Sequence, residues 1–155
     1  MSLRVDADRF RAWAQLCADS LAAARAEIDA LNVFPVPDAD TGTNAYLTFA
    51  AGRAALDEAP VPTKIPDVLK RYGDGLLLGA KGNSGTILSE LVRGSLRVLK
   101  TKKRLEGSDV VEALDAASKA AYAAVGDPQE GTILSVAAAA ALGARAADNG
   151  NATPE

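Results

Sequence analysis

The chain of 155 residues contains no histidine and a single cysteine, Cys17. Without histidine there is no serine–histidine or cysteine–histidine nucleophile. No zinc site built on nitrogen and sulfur can form either, and one thiol cannot make an internal disulfide. Any metal must therefore be held by oxygen and be a hard cation. Basic charge is not in excess: 17 Lys and Arg stand against 20 Asp and Glu, a net charge of -3. That argues against a nucleic-acid binder with a basic face. No apolar run reaches the ~18 residues of a membrane span. The charged start, Met-Ser-Leu-Arg-Val-Asp, is unlike a signal peptide, so a cytoplasmic location is expected. Period-two runs of β-branched residues are missing as well, which argues against a sheet protein.

What is present is alanine, roughly a fifth of the chain, with 48% hydrophobic and 24% charged residues, the balance of a globular domain. From Asp6 to Leu31 the residues Phe10, Trp13, Ala14, Cys17, Leu21, Ala24, Ile28 and Leu31 recur at helical steps. They predict one long amphipathic helix with Phe10, Trp13 and Cys17 facing the core. Pro35 and Pro37 end it. Further helices are predicted from about Thr43 to Asp57, from Pro66 to Gly79, and from Thr86 to Lys100. Another is expected up to Val125, opened by an Asp109–Glu112 capping box, and a last one from Thr132 to Ala147. The Lys100–Arg104 stretch reads as a solvated helix end, and residues 148–155 as a disordered tail. The expectation is a single all-α domain, an antiparallel bundle.

Three connections carry chemistry. In Asn32-Val33-Phe34-Pro35-Val36-Pro37-Asp38-Ala39-Asp40-Thr41-Gly42-Thr43-Asn44, two carboxylates follow two stiffening prolines and precede a helix start. Magnesium takes few carboxylates and completes its shell with water and phosphate oxygens, so the pair suits it. The helix start beside it attracts anions. A plain N-cap at Asp40 with a solvated Asp38 would explain the same residues. An EF-hand fails, because the sixth and twelfth positions from Asp38 are Thr43 and Phe49. The second connection, Gly79-Ala80-Lys81-Gly82-Asn83-Ser84-Gly85, lets backbone amides approach a ligand but lacks P-loop spacing. A tight inter-helix turn is the alternative. The third, Gly126-Asp127-Pro128-Gln129-Glu130-Gly131-Thr132-Ile133-Leu134, repeats glycine beside threonine, and a helix stop with a new N-cap at Thr132 is also sufficient. Should the three helix starts share an end of the bundle, they would surround one polyphosphate.

These motifs, with Ile87-Leu88-Ser89 after the second, resemble the N-terminal nucleotide-binding domain of bacterial fatty acid kinases. That domain is similar to the DhaL-type ATP-binding subunit of dihydroxyacetone kinases. The resemblance implies an eight-helix antiparallel barrel, of which six helices are present, with ATP at one rim. It implies that Asp38 and Asp40 ligate magnesium, with Asn32 near the place of a further aspartate. Thr43, Asn44, Gly82, Asn83 and Ser84 would contact phosphates, and Gly131, Thr132 and Leu134 would lie near the nucleotide. The implied activity is an ATP-dependent kinase making an acyl phosphate from a fatty acid that a separate carrier protein presents. Phosphoryl transfer to dihydroxyacetone and a non-catalytic nucleotide-binding or interaction module are the alternatives. Two positions depart from the family, Ala39 for the usual glycine and Ala45 for a frequent methionine. If position 39 needs positive φ, alanine costs ~1 kcal/mol there. The family domain continues through two more helices. A barrel lacking them would expose apolar surface, favour a homodimer and be inactive without them and the partner.

Overall fold

The computed structural model describes residues 3–4, 6–102 and 104–149. Among them are six helices: α1 (Ala7–Leu31), α2 (Thr41–Ala55), α3 (Ile65–Leu78), α4 (Gly82–Leu99), α5 (Gly107–Ala123) and α6 (Ile133–Asn149). A two-residue strand, β1 (Leu3–Arg4), pairs antiparallel with β2 (Arg104–Leu105). No helix among the described residues is long and apolar enough to cross a membrane.

Asp6 opens α1 in extended conformation, and its carboxylate accepts from the Arg9 N–H at 2.8 Å. Consecutive helices pack on one another, and α2 also packs on α4. The core is Ala14, Phe49, Leu56, Val68, Leu69, Tyr72, Leu76 and Leu96, with Phe10, Cys17, Leu21, Leu88 and Val92 packed against it. Each large buried side chain contributes about 1.5–3 kcal/mol. At Gly94 of α4 an added Cβ would lie 2.6 Å from the Ala116 carbonyl oxygen of α5, so this helix pair needs the bare backbone.

The structure corrects several expectations. Trp13 is 42% exposed rather than core. It lies over the core edge, its ring centroid 5.3 Å from that of Phe10 and 5.9 Å from that of Tyr72. The basic stretch is not simply a solvated end, because Arg104 enters the β ladder. Lys102 pairs with Asp109 at 2.8 Å and Glu112 at 3.1 Å. With Glu106 extended at the end of that ladder, α5 starts earlier than expected. Asp109 is therefore the third helical residue, and its carboxylate accepts from the Glu106 N–H at 2.9 Å. Helix α6 runs through Asn149, two residues into the expected tail; residues 150–155 lie outside the described part.

Candidate functional site

The polarity of the bundle decides where the three loops go. The end of α1 (Ile28, Leu31), the starts of α2, α4 and α6, and the segment after α5 (Ala124, Val125) all line one cleft of about 620 Å³. Alternating helix ends at one rim are what an antiparallel arrangement requires. The open question of the sequence is thereby answered: the three loops do share an end.

Asn32, just past α1, organises the first loop. Its Nδ2 donates to the Asp38 carboxylate at 2.6 Å and to the Val36 carbonyl at 3.1 Å. Its Oδ1 accepts from the Thr41 hydroxyl at 2.5 Å. The Thr41 Oγ1 in turn accepts from Ser84 Oγ at 3.3 Å. One polar chain thus ties the end of α1 and the acidic loop to the starts of α2 and α4. Ala39, between the two aspartates, has φ +53°. That is the left-handed conformation in which alanine is strained, as the departure from glycine anticipated.

Asp40 stands at the N-cap of α2, yet its side chain makes no capping bond. The plain N-cap reading is therefore excluded for it. Asp29 of α1 does that work: its Oδ1 accepts from the Thr43 N–H at 2.9 Å and its Oδ2 from the Thr43 hydroxyl at 2.7 Å. The Thr43 hydroxyl and N–H hold the Asp29 carboxyl below the usual carboxylate range, with Gly42 and Arg25 adding to the effect. Thr43 therefore does not line the cleft; both its donors are committed to Asp29.

The second loop differs from the expected turn. Helix α4 begins at Gly82, so Gly82, Asn83 and Ser84 form its first turn. Lys81 at its N-cap makes no side-chain capping bond, which leaves first-turn amides and the positive end of the helix dipole directed at the cleft. Gly82 has φ +58°, and a Cβ there would overlap the Asn44 side-chain amide. Asn44, Asn83 and Ser84 all border the cleft.

The third loop contributes Asp127, Gln129, Thr132, Ile133 and Leu134 to the lining. Leu134 is 1% exposed and forms part of the floor. Thr132 does cap α6, its hydroxyl accepting from the Leu134 N–H at 3.3 Å and donating to the Gln129 carbonyl at 2.8 Å. Gly131, at φ +80°, stays off the lining and donates its N–H to Ser135 Oγ at 2.9 Å.

Reading the residues alone gave no role to Thr41 or Asp29. A signal for Asp29 existed: a carboxylate in the last turn of a helix opposes the helix dipole and calls for a partner. Thr41 carries no such signal.

The candidate metal donors are oxygen: the Asp38 and Asp40 carboxylates, with the Thr41 and Ser84 hydroxyls on the same cleft. No group of three or more His, Cys, Asp or Glu gathers among the described residues. That suits a cation which keeps water and phosphate oxygens in its shell, as magnesium does, and not a caged one. A larger hollow of about 790 Å³ lies against α2, α3 and the connection between them, away from this chemistry. Its Lys70 and Asp74 neutralise each other at 2.6 Å.

The DAK2 domain family model matches residues 35–155. Protein YloV of Bacillus subtilis is 43% identical over 142 residues, 91% of this chain and 26% of its own length. An uncharacterized protein of Staphylococcus saprophyticus is 46% identical over 114 residues, 74% of this chain and 20% of its own. One from Staphylococcus epidermidis is 45% identical over 117 residues, 76% of this chain and 21% of its own. The chain thus spans about a quarter or less of the relatives it matches. With an all-α fold, three loops at one rim and a match over most of its length, the chain belongs to the DAK2 domain family.

Proposed function

We propose that this chain is the ATP- and magnesium-binding domain of a kinase that converts a fatty acid carboxylate, presented by a separate carrier protein, to an acyl phosphate. The observation that carries the reading is the convergence of Asp38, Asp40, Thr41, Asn44, Asn83 and Ser84 on one cleft. The uncapped start of α4 supplies amides and a partial positive charge for phosphate oxygens. Asp38 and Asp40 would hold magnesium, which when bound offsets charge on the phosphates. Asn32 is engaged at both ends of its amide, so its part is to orient Asp38 and Thr41. The apolar walls, Ile28, Phe34, Ile87 and Val125, offer room for a base. A carboxylate acceptor is ionised at neutral pH and needs no general base, which agrees with a chain lacking histidine.

The family match favours the dihydroxyacetone kinase reading equally, and the Pro-Val-Pro-Asp form of the first motif favours the fatty acid branch by resemblance. Phosphoryl transfer from labelled ATP, assayed with a carrier-bound fatty acid and with dihydroxyacetone, separates them. Acyl phosphate supports the proposal. Dihydroxyacetone phosphate replaces it with the second reading, and ATP binding without transfer to either, by a chain extended through the two further helices of the family domain, makes it a non-catalytic nucleotide module.

A further inference from the structure

Two aspartates in this protein stand at helix N-caps with opposite behaviour. Asp6 has ψ 162° and caps α1 with its own carboxylate. Asp40 has ψ 0° and caps nothing. A capping side chain ordinarily accepts from the second or third N–H of its helix. In α2 the third is that of Thr43, and its acceptor is Asp29, fourteen residues earlier on a different helix. The approach of the two helices makes this possible. A Cβ at Gly42 would overlap the Arg25 carbonyl oxygen and lie 2.9 Å from Ile28 Cβ, so only glycine lets α2 sit this close to α1.

The geometry points to Asp29 as a positioning residue: by capping α2 from α1, it releases the Asp40 carboxylate to serve the cleft. The inference rests on the proposed role of Asp40 at a cation. Two features of the sequence then have one cause. A carboxylate sits in the last turn of α1, where the helix dipole disfavours it, because the positive end of α2 lies beside it. Glycine follows Thr41 because the cap has to reach across. With Asp29 gone, the orphaned Thr43 N–H is the usual partner of a side chain at the Asp40 N-cap position, and a carboxylate drawn into capping is withdrawn from the cleft.

Thermal melts of the whole chain test the exchange of caps without any ligand. Asp40→Ala in the native background should move the melting temperature by no more than about 1 °C, because no cap is lost. In an Asp29→Ala background the same change should cost about 3 °C, because Asp40 has taken over the cap. Equal effects in both backgrounds would overturn the inference. Calorimetric titration with ATP and magnesium chloride supplies the functional arm. Asp29→Asn keeps an acceptor for the Thr43 N–H and should bind within about threefold of the native protein, since asparagine caps as well as aspartate. Asp29→Ala should lose about tenfold in the presence of magnesium while leaving metal-free ATP binding unchanged. Loss in Asp29→Asn equal to that in Asp29→Ala would assign the effect to charge and reject the cap. If Asp29→Ala does not fold, the asparagine variant decides alone: affinity kept upholds the inference, affinity lost rejects it. The melts stand even where ATP fails to bind, so failure of the nucleotide reading is told apart from failure of the cap.

Discussion

Asn32 and Asp38 are joined by one hydrogen bond of 2.6 Å, from the amide of the first to the carboxylate of the second. The bond closes the proline-rich loop on itself, so that the aspartate is aimed by a residue at the end of α1. Hydrogen bonds to charged groups are worth about 1.5–3 kcal/mol, and an exposed one falls at the low end. Asn32→Ala is expected to weaken magnesium-dependent ATP binding by about tenfold and to lower the melting temperature by about 3–6 °C. Calorimetric titration beside a thermal melt checks both halves.

Gly82 meets two constraints at once, a φ of +58° and the Asn44 amide in the space a Cβ would occupy. Gly82→Ala should cost about 1–2 kcal/mol from conformation alone. It should also displace Asn44 from the cleft and reduce ATP affinity. A variant that melts and binds as the native protein does would show that the start of α4 is less tightly set than the structure indicates.

Ala39 offers the opposite experiment. At φ +53° its side chain is strained, and glycine there removes the clash while adding freedom to the unfolded chain. The net effect should be a small stabilisation, a rise of about 1–3 °C in melting temperature. A fall would mean that unfolded-state entropy outweighs the relief.

The pH dependence follows from three carboxylates held below their ordinary range. Asp29 is lowered by the Thr43 hydroxyl and N–H, Asp109 by Lys102 and the Glu106 N–H, and Asp115 by Lys119 and Arg145. Groups depressed in the folded state add stability above their unfolded pKa and lose it as the pH falls through the folded one. Lys102 is raised, mainly by Asp109 and then Glu112, so its contribution is present below the unfolded lysine pKa and lost as the pH climbs through the folded one. Stability should therefore be level near neutrality, where no histidine titrates, and fall below about pH 4. Melts across pH show this, and Asp29→Asn should flatten part of the acid slope.

Helix identities were legible because the apolar periodicity of α1 and the Pro35–Pro37 stop leave few alternatives. Boundaries were less so. Gly82, Asn83 and Ser84 read as a turn because glycine and asparagine disfavour helices, yet they form the first turn of α4, where free amides suit them. Trp13 obeyed the period of the apolar stripe but fell at its edge, over Phe10 and Tyr72. The β1–β2 ladder leaves no trace in the sequence, because a pair of two-residue strands carries no periodicity. At the site, Asp38, Asp40 and Ser84 were visible as residue types at helix starts. The Thr43–Asp29 contact was not legible, because Asp29 lies on another helix and a cap across helices leaves no local spacing to read.

The most direct test is titration of the 155-residue chain with ATP, with and without magnesium, beside Asp38→Ala and Asp40→Ala. The account predicts magnesium-dependent binding in the native protein and its loss in both variants, each keeping a native circular dichroism spectrum. Binding that ignores magnesium, or that survives both substitutions, would contradict the assignment of the aspartate pair. So would no binding at all by a folded native chain.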